Sequence, residues 1–188
     1  MDTRKGAVIM KTISGRYPWA LAVLLAAVGL GHGAAAGEET TITAFMTWQG
    51  QGRTFQTGPK EAEFIGAIVG PVYTETDKGP IASGLMECPA SLTIGLQDGR
   101  QTGTGRCLIT GKDGSHIYAE VNCKGVYMIG CDGDLKFTGG TGRFAGISGG
   151  GPVIIRSNQR QIVSTSEGSV GEQGTGILYM RQLHYKLP

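Results

Sequence analysis

From residue 42 onward, apolar side chains recur at every second position in short runs. Ile42, Ala44, Met46 and Trp48 share one face of the first run, and Leu92, Ile94 and Leu96 share a face of another. Ile117, Ala119 and Val121, then Leu135 with Phe137, then Ile177, Tyr179 and Leu183 continue the series. Alternation with period two puts successive side chains on opposite faces of an extended backbone, so these runs predict half-buried strands. Strands are expected over 40–48, 62–69, 82–88, 91–97, 104–110, 115–123, 133–138, 152–156, 160–166 and 175–185. Asp98-Gly99, Asp113-Gly114, Asp132-Gly133 and Gly139-Gly140 punctuate them. Such pairs favour the primed turns that join antiparallel neighbours. The expectation is an all-β chain folded as an antiparallel up-and-down β-barrel or a sandwich, the two architectures that fit many short strands and tight links.

Composition strengthens this reading. Glycine supplies 33 of 188 residues, and each interior helical glycine costs about 1 kcal/mol relative to alanine, so helix is disfavoured throughout. The richest stretch runs from Phe137 to Pro152, where Phe137, Phe144 and Ile147 are the large apolar residues. Gly139, Gly140, Gly142 and Gly146 supply the backbone freedom for a tight reversal. Phe144 is expected to tie it down by closing one end of the barrel.

The first residues read as an address. Arg4, Lys5, Lys11 and Arg16 accompany the apolar run Ala20–Leu30, and Ala34-Ala35-Ala36 offers small residues before Gly37. This predicts a cleaved signal peptide over 1–36 and a β-barrel domain over 37–188, secreted or periplasmic, with Met1 and Met10 both fitting as the start. The apolar run is shorter than the roughly 20 residues that span a bilayer, and no membrane span is expected in the mature chain. Residues 1–36 hold four basic residues and one acidic one, so the 17 Lys+Arg and 15 Asp+Glu of the whole chain become a mature net charge of −1. No basic block remains of the kind a nucleic-acid partner requires.

Cys88, Cys107, Cys123 and Cys131 all follow the signal. Four cysteines in an exported chain, with no close Cys-x-x-Cys pair for zinc, predict two disulfides. Of three connectivities, the favoured one joins sequence neighbours. Cys88 and Cys107 flank the turn signal at Gln97–Arg100, and Cys123 and Cys131 flank a short glycine-containing connection.

Candidate chemistry is sparse. Gly140-Thr-Gly142-Arg-Phe-Ala145 has the letters of a dinucleotide fingerprint, but glycines and Pro152 follow where a phosphate-binding helix should open. Gly146-Ile147-Ser148-Gly149-Gly150 matches a nucleophile elbow, which also requires a helix next. His116 and His184 alternate with Ile117 and Leu183 and are expected on the solvent face. Glu61 with Glu63, and Asp132 with Asp134, share strand faces without forming a metal-loop pattern. No catalytic residue, metal site or cofactor is assigned.

The run Asp134-Leu-Lys-Phe-Thr-Gly-Gly-Thr-Gly-Arg-Phe-Ala-Gly-Ile-Ser-Gly149 resembles the signature of the allene oxide cyclase and dirigent barrel superfamily, in particular small exported bacterial members. Cys107-Leu-Ile-Thr-Gly-Lys-Asp-Gly-Ser-His-Ile-Tyr-Ala-Glu-Val-Asn-Cys123, closing on Cys131, is similar to the same group. The resemblance implies an eight-stranded barrel with a central cavity, often oligomeric, in a family that isomerises an unsaturated epoxide or steers phenoxy-radical coupling without a tightly bound cofactor. It carries over no catalytic residue, since the match lies in the turn and its flanking strands. Two readings follow: a non-catalytic barrel that binds a small apolar ligand or a protein partner, and a cyclase-like or dirigent-like barrel that shapes a reactive ligand in its cavity. Self-association into a homo-oligomer is compatible with both.

Overall fold

A computed structural model describes residues 38–188; the expected signal peptide and its cleavage point lie outside the described residues. Eight antiparallel strands form in chain order: β1 Glu39–Gln56, β2 Glu61–Thr74, β3 Ile81–Gly95, β4 Arg100–Gly111, β5 His116–Val126, β6 Gly130–Gly140, β7 Ser148–Ser166 and β8 Ser169–Lys186. Each pairs with its sequence neighbours and β8 pairs back onto β1, so the sheet closes into a barrel. One 3-10 turn, Gly142–Phe144, links β6 to β7, and the glycine stretch opens no longer helix.

Two expected strand pairs prove to be single strands. The runs 82–88 and 91–97 belong to β3, and 152–156 and 160–166 belong to β7. Pro89 stands between the first two runs, and proline cannot donate to a ladder. It sits opposite Ala67 on β2, while the β3–β4 register stops at Glu87–Leu108 and resumes at Ala90–Gly105, so its missing N–H falls in the gap. In β7 a bulge between Ser157 and Gln159 broke the alternation. Asp132-Gly133 is likewise no turn: it lies inside β6, opposite Lys124 and Cys123, and the chain reverses over Tyr127–Ile129 with Ile129 N–H donating to the Val126 carbonyl at 3.1 Å.

The lumen is filled unevenly. Towards the end where β1 begins and β8 ends, Met46, Met86, Leu135, Val153, Leu178 and Met180 are almost wholly buried and pack with Phe137, Ile147 and Leu183 into the core. The other end, where the β1–β2, β3–β4, β5–β6 and β7–β8 turns gather, presents glycines inward instead. Both disulfides face the lumen. Cys88–Cys107 bridges directly opposed positions with a Cα separation of 4.1 Å, and Cys123–Cys131 runs diagonally across the β5–β6 pair at 5.5 Å. This is the pairing expected from the sequence.

The strands slope around the barrel. Following hydrogen-bonded partners away from Ser166, one circuit of the sheet returns to β7 at Ile154. β6 therefore pairs with β7 only up to Arg156, and beyond it a single further bond, Ser157 N–H to the Ile129 carbonyl at 2.9 Å, crosses that seam.

Candidate functional site

At the hairpin end the inward side chains are aromatic or polar, and glycine makes room for them. A Cβ at Gly52 or Gly66 would collide with the Phe64 ring, and one at Gly176 would collide with the Trp48 indole. Both rings therefore lie close against backbone inside the barrel. Together with Leu92, Leu178 and the two disulfides they bound a cavity of about 110 Å³. A larger depression of about 1130 Å³ is lined mainly by outward, exposed residues such as Gln49, Val69, Glu87, Arg106 and Tyr118. The smaller cavity is the candidate site, because Thr54, Gln101 and Glu172, three of the four buried polar residues among those described, gather at that end.

Those groups form a network around Glu172. Its Oε2 pairs with Arg160 Nη2 at 2.7 Å, and its Oε1 accepts from Thr54 Oγ1 at 2.6 Å and from the Tyr127 hydroxyl. The pair is secluded, with side-chain exposures of 13% for Arg160 and 9% for Glu172. Arg160 reaches the lumen because the bulge at Ser157/Gln159 shifts β7's inward parity from odd to even positions. Its guanidinium stacks 4.6 Å from the Tyr127 ring centroid and 5.5 Å from that of Phe64, where ring quadrupoles favour a cation. Tyr127 is carried by the β5–β6 turn at this end of the barrel. Burial, reinforced by its bond to Glu172, pushes its phenol above the usual value of 10.0. Both carboxylate oxygens of Glu172 are thereby engaged.

Among the described residues two buried side-chain atoms have no hydrogen-bond partner: Trp48 Nε1 and Gln101 Oε1. Gln101 Nε2 donates to the Gly130 carbonyl at 3.3 Å, which turns the amide oxygen the other way.

The residues singled out in the sequence lie mostly elsewhere. Gly139 and Gly140 end β6, and Gly142 and Gly146 take φ of 56° and 78° on either side of the 3-10 turn, where glycine is the residue that fits without strain. Phe144 is half-buried against the core beside buried Ile147, with the Arg143 guanidinium 4.6 Å from its ring centroid. Arg143 in turn pairs with Asp113 at 3.1 Å. His116 and His184 bond Thr110 and Thr41 at 3.2 and 2.8 Å near the opposite end, and Asp132 pairs with Arg156 on the barrel exterior. Among the described residues no group of His, Cys, Asp or Glu is arranged to hold a metal. Thr54, Tyr127, Arg160 and Glu172 were not singled out by the sequence reading.

No family model matches the chain, and no curated protein matches it. Among solved structures it is similar to the pterocarpan synthase dirigent protein GePTS1, at 11% identity and a TM-score of 0.31, over 89% of this chain and 99% of that one. It is similar also to the pterocarpan synthase dirigent protein PsPTS1, at 12% identity and a TM-score of 0.31, over 78% and 97% of the two chains. Such scores are too low to assign a family, and the barrel rests on its own strand pairing.

Proposed function

We propose that this chain is an exported, non-catalytic binding barrel that holds a small apolar ligand in its lumen at the hairpin end. The observation that carries the reading is the cavity of about 110 Å³ walled by Trp48, Phe64, Leu92, Leu178 and both disulfides, set above an otherwise solid core. Cavities of comparable size, about 150 Å³ with apolar walls, hold a benzene-sized guest, which sets the scale of the ligand at about one ring. A binding role is favoured over catalysis because the one buried carboxylate in the lumen is fully engaged by Arg160, Thr54 and Tyr127, leaving no free acid–base pair beside the cavity. The two disulfides are compatible with an oxidising compartment, which supports export.

Trp48 is the only tryptophan among residues 38–188 and lies on the cavity wall, so it reports occupancy directly. Native mass spectrometry of protein purified from its own host is expected to show a small-molecule adduct that denaturation releases, and benzene titrated into stripped protein is expected to shift Trp48 emission saturably. Protein that carries no adduct and gives no saturable response overturns the reading.

A further inference from the structure

The open seam of the barrel is bordered by its most exposed apolar side chains. Residues 158–166 of β7 pair with β8 on one side and with no strand on the other. Ile162, Ile129 and Met128, at 67%, 61% and 57%, are the three most exposed large apolar residues among those described. Ile162 lies within the unpaired run, beside exposed Val163. Ile129 and Met128 belong to the turn whose Ile129 carbonyl takes the Ser157 N–H at 2.9 Å, where that run begins. Sheet edges are ordinarily guarded by lysine, proline or inward-pointing charge. Residues 158–166 hold no lysine and no proline, and their one charge, Arg160, is neutralised by Glu172 at 2.7 Å. Arg53 reaches only Ser164 and Ser166, near the end of the run. Two bulges, at Ser157/Gln159 and Ile162/Ser164, leave Gln159 to Ile162 as the regular stretch between them.

We propose that this edge pairs antiparallel with the same edge of a second copy, joining two barrels about a two-fold axis near Ile162. Open N–H and C=O groups along a strand edge are a template for another strand. The flanks of the barrel do not start near this edge, since the chain enters β1 at Glu39 and leaves β8 at Lys186, both at the far end. With no net charge at its centre, the edge repels no copy of itself and offers nothing for a partner of opposite sign to read. An isologous contact also brings Ile162 against its own counterpart. Because the regular stretch is short, the interface is small and the dimer weak and reversible. None of this depends on the lumen being a ligand site.

Sedimentation velocity of the unaltered protein from about 1 μM to about 1 mM, the range in which a small interface becomes populated, is expected to show monomer passing reversibly into dimer. Val163→Lys sets an ammonium group one residue from the axis on both copies and is expected to raise the dissociation constant at least about tenfold. Ile81→Lys, at a similarly exposed position on the far end of the barrel, is expected to leave it unchanged. Should Val163→Lys fold poorly, hydrogen exchange on the unaltered protein decides the matter, because amides in 158–166 are expected to slow in step with the dimer. A protein that stays monomeric throughout overturns the proposal. So does a dimer that survives Val163→Lys undiminished, or one that forms without slowing exchange in 158–166, since its interface then lies elsewhere.

Discussion

Tyr127 reaches from a turn whose neighbours Val126, Met128 and Ile129 are exposed, and its hydroxyl ends on a buried carboxylate. Tyr127→Phe keeps the ring beneath Arg160 and removes that bond, at a cost of about 1 kcal/mol or somewhat more because the acceptor is charged. The pH dependence has a definite sign. Burial chiefly, and Glu172 next, raise the phenol above 10.0 in the folded state, so its contribution is complete below the unfolded value and is lost as pH rises through the folded one. In thermal melts the wild type should exceed Tyr127→Phe at pH 8, and the gap should narrow above about pH 10. A gap that holds or widens would contradict the assignment. Arg160→Met is a harsher change, since it strands Glu172 without its cation; about 3 kcal/mol is expected. Arg160→Met combined with Glu172→Met should recover most of that in chemical denaturation, and a double variant as unstable as the single one would show that the pair is not the source. None of this network was legible in the sequence. Glu172 stands 118 positions from Thr54 and 45 from Tyr127, and the β7 bulge that turns Arg160 inward left its position out of phase with the alternation.

At the level of elements, the signals that could be read were those held within a few residues. Asp98-Gly99 and Asp113-Gly114 do reverse the chain, with Gly99 and Gly114 at φ of 68° and 79°. Pairing of neighbouring cysteines followed from the hairpins that these turns and the short β5–β6 connection create. The β5–β6 reversal was assigned to Asp132-Gly133 and not to Tyr127–Ile129, because Met128 takes a φ of 68° without being glycine or asparagine, a conformation that sequence preference argues against. The turn into β7 allows a sharper test. Phe144 packs half-buried on the core while Ser148 is exposed. Full removal of a packed Phe costs about 3 to 5 kcal/mol, and partial burial places Phe144→Ala near 2. Ser148→Ala should stay within about 0.5 kcal/mol. Equal melting temperatures for the two variants would mean that Phe144 contributes nothing to closing that end.

For the whole molecule, alternation and turn spacing gave ten runs for eight strands and left barrel and sandwich both open, and they held no information on the slope of the strands. It depends on registers between β6 and β7 and between β8 and β1, and β8 and β1 lie at opposite ends of the described chain. That slope has a physical consequence. A closed barrel abolishes edges, yet here closure covers β7 only through Arg156, and residues 158–166 have β8 on one side and no ladder partner on the other. Ile162 and Val163 in this segment are 67% and 52% exposed. Amides bonded on both flanks exchange only when two ladders open, whereas this segment needs to separate from β8 alone and carries half its backbone groups towards solvent. Peptide-resolved hydrogen exchange at low protein concentration should therefore show 158–166 exchanging well ahead of 150–156. Equal protection of the two halves at every dilution would mean that the upper edge of β7 is covered within the monomer. Protection that appears only as concentration rises would mean that a second copy covers it.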